Sequence, residues 1–235
     1  MAMRYGNPNL KHVLGQIEKQ SPDRVILVPL YPQYATSTTE SSLEKAQQII
    51  SKWKQVPELK IIHHFHDHPG FINSFAHRIQ LYKPQSYDHI IMSYHGLPIN
   101  QVVGAHSGNS CETMGCAHKR TEKNSLCYLA SCYETSRLLA EKLNLQEKDY
   151  TVCFQSRLSK NWTKPFTDEV VMDMAKHGSK RLLVISPAFV ADCLETIHEL
   201  GKELKEKFEQ NGGEELTLVE SLNDMPQWVE ALAGM

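Results

Sequence analysis

The sequence lacks the features that would point to a membrane, secreted or nucleic-acid-binding protein. No apolar run approaches the roughly 20 residues of a transmembrane helix. The opening stretch "MAMRYGNPNLKHVLG" has no apolar core of a signal peptide. The formal net charge is −2 over 235 residues, so no basic excess favours nucleic acid or an anionic membrane as a bulk partner. We therefore expect a cytoplasmic globular protein, whose six cysteines are thiols or metal ligands rather than disulfides.

Short β-branched runs alternate with stretches of helical periodicity along the chain. Such alternation predicts an α/β fold, in which helices flank parallel sheets. The strand-like runs are nearly continuous in apolar residues, which is typical of strands buried on both faces. Strands are predicted at residues 24–30, 59–65, 89–94, 150–156, 181–187 and 216–222, and helices at 38–53, 69–82, 133–143, 168–178, 192–208 and 225–233.

The predicted elements form two Rossmann-like halves, of which the first has too few strands for a complete sheet. The boundary is predicted at "KPQS", residues 83–86. Residues 1–85 would then form a partial first domain, which the C-terminal helix 223–235 joins. Residues 86–222 would form the second domain, with a cysteine-rich insertion at 99–132.

Polar and aromatic residues come after four of the predicted strands. Ligands of parallel α/β sheets bind beyond the carboxyl ends of the strands, so these side chains should collect at one edge. Flat aromatic rings, one imidazole and carboxylates would suit a flat, apolar, partly charged ligand. The residues are Tyr31, then His95, then Gln155, Ser156, Arg157 and Trp162, and finally Asp192 and Glu195.

Several of these residues also have a structural interpretation. Asp192 and Glu195 lie three apart in a predicted first helical turn, where an N-cap and a dipole-complementing acid are common. His95 is one of 12 histidines, most of which should be structural. Trp162 could be a rim aromatic, and Tyr31 could cover the edge of the sheet. The position of His95 at a strand end, directly before Gly96 and Pro98, favours a functional role.

Four motifs in order carry a family resemblance. "LYPQYATSTTESS", "SYHGLP", "FQSRLSKNWTKPFTDE" and "ISPAFVADCLETIHEL" together resemble ferrochelatase, a lyase that inserts ferrous iron into a porphyrin in haem biosynthesis. The similarity runs from "MRYGNP" to the C-terminal helix. It implies a porphyrin and Fe²⁺ as substrates, with protoporphyrin IX favoured over coproporphyrin. The family normally has further strands and helices before "MRYGNP", so the resemblance also implies that this N-terminal part is missing.

The resemblance implies roles for individual residues. His95 and Glu195 would be catalytic and would contact the substrate iron. A porphyrin must lose two N–H protons before it binds a divalent metal, and an imidazole can accept one while a carboxylate passes protons to water. The substrate-binding residues implied are Arg4, Tyr5, Tyr31, Gln155, Ser156, Arg157, Trp162 and Asp192.

Four cysteines stand in the predicted insertion with the spacing C-x4-C-x10-C-x4-C. Two close pairs separated by a loop suit a site with four thiolate ligands. Some bacterial ferrochelatases carry a [2Fe–2S] cluster on an internal insertion, and this segment resembles that version. Zinc, with His106 or His118 replacing a thiolate, and plain reduced thiols are the alternatives. The four residues are Cys111, Cys116, Cys127 and Cys132.

Two other functions stay open at this point. The chain could be a non-catalytic fragment that binds porphyrin or a cluster, or it could be a related chelatase that loads cobalt into a corrin precursor. Peripheral membrane contact is compatible with a ferrochelatase, because its porphyrin substrate is sparingly soluble. The sequence does not indicate an oligomeric state.

Overall fold

Parallel strands alternate with helices in the structure, which confirms the predicted fold class. The computed structural model describes residues 1–106 and 109–235. These residues divide into a first unit, Met1–Phe65, and a second unit, His66–Met235. The sequence-based boundary at residues 83–86 lies further along the chain, and the domain assignment built on it stays a prediction.

The first unit contains a small parallel sheet. Strands β1 (Arg24–Leu27) and β2 (Glu58–Ile61) pair in register from Arg24 with Glu58 to Leu27 with Ile61. Helix α1 (Leu10–Glu18) begins where the Asn9 side chain accepts a hydrogen bond from the His12 amide. Helix α2 (Ser41–Ile50) continues a π-helical turn, Thr36–Glu40. Burial of one apolar face of each helix builds the core, which contains Leu14, Val25, Ala46, Ile50 and Trp53.

The second unit is organised around a four-stranded parallel sheet. Within the described residues the strand order is β4-β3-β5-β6, so β3 lies in the interior of the sheet. The five central residues of β3 are buried, which explains its continuous apolar character. The strands are β3 (His89–His95), β4 (Tyr150–Gln155), β5 (Arg181–Ile185) and β6 (Glu215–Leu218).

Helices come after each strand of this sheet. The π-helix Glu195–Leu204, α6 and α7 pack their apolar residues against Ile91, Leu182 and Val184. Helix α3 packs against α5 and α8, and the Phe71 ring lies 5.9 Å from that of Trp228. The α-helices are α3 (Pro69–Gln80), α4 (Ile99–Val103), α5 (Tyr128–Leu143), α6 (Thr167–Lys176), α7 (Lys205–Gln210) and α8 (Pro226–Ala233), and 3₁₀ turns lie at 84–86, 104–106, 122–124 and 147–149.

Several element bounds differ from the sequence predictions. The helix predicted at 192–208 is instead a π-helix, Glu195–Leu204, followed by α7. Helix α5 begins five residues before the predicted start, because Cys127 caps it by accepting from the Ala130 amide. Helices α1 and α4 were not predicted. In the described part of the chain, no helix has both the length and the apolar character needed to cross a bilayer.

Candidate active site

His95 stands at the carboxyl edge of the second unit's sheet, as the last residue of β3. It pairs with Gln155, the last residue of β4. The half-buried imidazole lies between two aromatic rings, with ring centres 6.4 Å away at Trp162 and 6.3 Å away at Phe189. Trp162 lies after β4 and Phe189 lies after β5, so the loops after both neighbouring strands reach this histidine. Phe189 was missed in the sequence, although it comes two residues after a predicted strand.

A backbone contact fixes the tautomer of His95. Its Nδ1 lies 2.7 Å from the carbonyl oxygen of Gly96. Because a carbonyl oxygen can only accept, Nδ1 must donate, and in the neutral imidazole Nε2 then carries the free lone pair. The ring therefore offers a basic nitrogen on the side away from the backbone.

Gly96 permits a close approach between β3 and the end of β4. Its amide donates to the Gln155 carbonyl at 2.7 Å, and a Cβ at this position would lie 2.8 Å from the same oxygen. The chain then turns away, and Pro98 forms an antiparallel bridge with Trp162. Paired contacts between Leu97 and Thr163 hold this turn. The turn after His95 thus brings Trp162 beside the imidazole.

A methyl group at position 96 should force the backbone of β3 away from the Gln155 carbonyl at the end of β4. We expect Gly96→Ala to lower the free energy of unfolding by about 1–3 kcal/mol, because the clash is with backbone that cannot rotate away. Gly15→Ala is the matched control, since a Cβ there meets nothing within 4 Å. Thermal unfolding measures both variants, and equal midpoints for the two would contradict the role of Gly96.

Gln155 connects the strand of His95 with the helix of Glu195. It is 4% exposed, and its Oε1 accepts from the Ser93 hydroxyl at 2.7 Å. Its Nε2 donates to the backbone oxygen of Glu195 at 3.5 Å. Glu195 is half-buried and is the first residue of the π-helix. His95 and Glu195 are therefore linked to the same buried residue, whose side-chain amide contacts other protein groups at both ends.

Ser156 and Arg157 are also engaged by protein groups. Ser156 has φ = +60°, a left-handed conformation that is uncommon for serine, and its amide donates to Glu199 Oε1 at 2.7 Å. The Arg157 guanidinium lies 4.0 Å from the centre of the Phe166 ring and pairs with Asp168. Glu199 was missed in the sequence, where its position four residues after Glu195 was the available signal.

Asp192 holds a loop together. The predicted placement of Asp192 in the first helical turn with Glu195 is wrong, because Asp192 precedes the helix. Its carboxylate accepts hydrogen bonds from the Ser221 amide, the Asn223 side chain and the Thr196 hydroxyl. Burial alone would raise the pKa of Asp192, but the bonds from Asn223 and Ser221 lower it below its ordinary value. A role for Asp192 in substrate binding stays a prediction.

Three predicted substrate-binding residues lie in the first unit. The Arg4 guanidinium stands 4.6 Å from the centre of the Tyr5 ring, and Arg4 Nε donates to the Ser41 carbonyl at 3.1 Å. Tyr5 is 77% exposed and Tyr31 is 38% exposed. These aromatic surfaces are available to a ligand, and their part in porphyrin binding stays a prediction.

Three of the four predicted cluster cysteines converge, together with a histidine. Ligand atoms of His106, Cys111, Cys116 and Cys127 all lie within 4.8 Å of one another. The thiol of Cys132, on α5, does not belong to this group. Burial, and then the neighbouring Cys127, raises the pKa of the Cys116 thiol to about 11, and burial lowers the pKa of His106. The group could hold a metal ion through three sulfurs and one nitrogen.

Comparison with known proteins agrees with the motifs. The family model described as Ferrochelatase matches residues 1–235. The chain is 40% identical to a ferrochelatase of Pseudomonas entomophila, an alignment that covers 100% of this chain and 71% of the relative. It is 39% identical to a ferrochelatase of Pseudomonas putida strain KT2440, with the same coverage.

Solved structures share the fold at low sequence identity. SirB from Bacillus subtilis with Fe³⁺ superposes with a TM-score of 0.63 at 13% identity, over 97% of this chain and 76% of that one. The sirohydrochlorin chelatase SirB from Bacillus subtilis subspecies spizizenii, in complex with cobalt, gives a TM-score of 0.61 at 11% identity, over 97% and 74%. At such identities the likeness concerns the fold alone.

Proposed function

This chain belongs to the ferrochelatase family, and we propose on that premise that it inserts ferrous iron into a porphyrin to make haem. The observation that carries the proposal is the imidazole of His95. It stands at the carboxyl edge of a parallel sheet, between two aromatic rings, and its Nδ1 donates a hydrogen bond to the Gly96 carbonyl.

The proposed role of His95 is to accept a pyrrole proton. Its Nε2 has the lone pair that this step needs, and the Gly96 carbonyl keeps the ring oriented before the transfer. Once Nε2 is protonated, the same carbonyl accepts from a positively charged ring, which strengthens that hydrogen bond. Proton removal exposes the pyrrole lone pairs to the metal.

Trp162 and Phe189 would contact the macrocycle. Both rings are half-buried and belong to the loops after β4 and β5, on the two sides of β3. Aromatic walls offer apolar area to a flat ring system and keep water away from the reacting nitrogens. Arg4, Tyr5 and Tyr31 of the first unit are the further contacts that the family resemblance proposes.

Glu195 would supply the carboxylate for the second proton or for transient contact with Fe²⁺. Imidazole and carboxylate oxygen both bind this ion weakly enough to release it. Support comes from the position of Glu195 at the start of the π-helix, next to the buried Gln155 amide. Irregular π-helical turns are frequent at functional sites.

The test is metal-dependent loss of free-porphyrin fluorescence without oxygen. We expect the protein to convert protoporphyrin IX and Fe²⁺ to haem faster than a protein-free mixture does, with coproporphyrin as the comparison substrate. Porphyrin binding without turnover would contradict the proposal and favour a binding module. Turnover restricted to Co²⁺ and a corrin precursor would favour a cobalt chelatase instead.

We also propose a resident metal centre in the insertion and a cytoplasmic location. A [2Fe–2S] cluster on Cys111, Cys116, Cys127 and Cys132 is the form that the family resemblance suggests. Zinc is the alternative, and the convergence of three of these thiols supports a metal centre in this segment. Such a centre would fix the insertion next to α5. Peripheral contact with a membrane would serve the delivery of a sparingly soluble porphyrin.

A further inference from the structure

One imidazole and three thiols meet at a small buried point between α4 and α5. His106 Nε2 lies 3.3 Å from Cys111 Sγ and 3.5 Å from Cys116 Sγ. Cys111 Sγ and Cys127 Sγ are 3.8 Å apart. Cys116 and Cys127 are fully buried, and His106 is 2% exposed.

These separations fit the coordination shell of a single ion. Zinc bonds of about 2.3 Å to sulfur and about 2.0 Å to nitrogen place tetrahedral ligands about 3.8 Å apart for two sulfurs and about 3.5 Å apart for sulfur and nitrogen. A two-iron cluster divides its four ligands between two metals, and bridging sulfides lie between them. Ligands on different irons must then stand further apart than ligands on one ion. The compact group of four atoms therefore favours one metal.

His106, rather than Cys132, completes the set of four. Cys132 is fully buried in α5, and its Sγ is not among the ligand atoms that lie within 4.8 Å of one another. His106 is buried too, and among the described residues its Nδ1 has no hydrogen-bond partner while Nε2 contacts sulfurs. Thiols are weak hydrogen-bond partners, so Nε2 has only weak partners within this group. A metal ion at the centre of the group would give Nε2 a strong one.

Hydrogen-bond donors surround the sulfurs. The Asn124 side-chain amide donates to Cys116 Sγ at 3.6 Å, and the Ala130 amide donates to Cys127 Sγ at 3.5 Å. Donors of this kind stabilise the negative charge of metal-bound thiolates. Arg137 further holds the loop by donating to the Ala117 carbonyl at 3.1 Å. The ligands are thus supported by a second layer of contacts.

We propose that His106, Cys111, Cys116 and Cys127 bind one divalent ion with the tetrahedral preference of zinc, and that Cys132 is not a ligand. The proposal rests on the resident metal centre proposed above. It adds that the centre contains one metal ion and that His106 is the fourth ligand. It does not depend on iron insertion, because the four ligands are distinct from His95 and Glu195.

Metal analysis of the purified and dialysed chain tests the proposal. We expect about one zinc ion per chain, no acid-labile sulfide and no visible absorption of a cluster. His106→Ala should lose the ion, and Cys132→Ser, the matched control, should retain it. His106→Cys should also retain it, which separates the loss of a ligand from a failure to fold. Replacement by Co²⁺ should give the intense visible bands of tetrahedral coordination.

Three results would overturn the proposal. They are two irons and sulfide per chain, metal binding that requires Cys132, and a folded protein that binds neither zinc nor cobalt. The haem-forming assay is a separate measurement. A chain that makes haem but fails these metal tests would leave the proposed function standing, and a chain that holds zinc without making haem would leave this assignment standing.

Discussion

His95→Ala is expected to lower the rate of iron insertion by about 10²- to 10⁴-fold, the range by which a positioned proton acceptor accelerates a reaction. The imidazole provides a basic Nε2 at the carboxyl edge of the sheet, and alanine provides none. Porphyrin binding should persist, because backbone contacts hold both aromatic residues: Trp162 bridges to Pro98, and the Phe189 amide donates to the Ser186 carbonyl at 3.1 Å. Fluorescence quenching of the bound porphyrin measures binding, and haem absorbance measures turnover.

His177→Ala is the control for this experiment. His177 lies just after α6 with its side chain 77% exposed, so its loss should leave the rate unchanged. Added imidazole should partly restore the His95→Ala variant if the missing group acts as a base. Near-normal turnover by His95→Ala, with unchanged thermal stability, would rule out the assigned role.

Glu195→Gln should produce the second large loss, again about 10²-fold or more in kcat. The substitution keeps the size of the side chain and the backbone oxygen that Gln155 contacts, and it removes the charge and the proton-accepting oxygen. Because the change is nearly isosteric, thermal stability should stay close to that of the parent. Initial rates over a range of Fe²⁺ concentrations separate an effect on kcat from an effect on KM.

Glu206→Gln serves as the matched control, because Glu206 is exposed on α7, directly after the π-helix. Its rate should equal that of the parent. If Glu195→Gln behaves like this control, then the carboxylate takes no part in proton transfer or in contact with iron. A rise in KM for Fe²⁺ with unchanged kcat would restrict Glu195 to metal capture.

The sequence was sufficient for the strand ends of the second unit. The apolar run before His95 predicts a buried strand. Parallel strands bring the residues at their carboxyl ends to one edge, so the location of His95, Gln155 and Trp162 at this edge follows from sequence position alone. Gly96 and Pro98 mark the turn because one tolerates a close approach and the other has no backbone N–H to donate. These signals are local and need no knowledge of distant partners.

The helix after β5 shows where such reasoning fails. Apolar spacing does not distinguish an α-helix from a π-helix over ten residues, so the prediction began the helix at Asp192 instead of near Glu195. The true surroundings of Asp192 depend on Ser221 and Asn223, which arrive from the loop after β6. Contacts between residues about 30 positions apart leave no periodic trace in a single sequence.

The residues of the proposed metal centre illustrate the same limit. Cysteine spacing pointed to Cys111, Cys116 and Cys127, which do lie together, but equal spacing of the two pairs suggested Cys132 as the fourth ligand. Helix α5 begins at Tyr128, which commits Cys132 to a buried helical position, and His106 reaches the thiols from the 3₁₀ turn after α4. The start of α5 at Tyr128, with Cys127 as its N-cap, depends on three-dimensional contacts that cysteine spacing does not encode.

Helix α5 also constrains how this protein can vary in length. Two of its residues contact the last two residues of β3. Tyr128 donates to the His95 carbonyl at 2.7 Å, and Ser136 hydrogen bonds with Tyr94 at 2.8 Å. A single residue added or removed between them would rotate one contact by about 100° relative to the other. Relatives can therefore gain or lose residues in the loop ahead of Cys127, whereas the interval from Tyr128 to Ser136 should keep a fixed count.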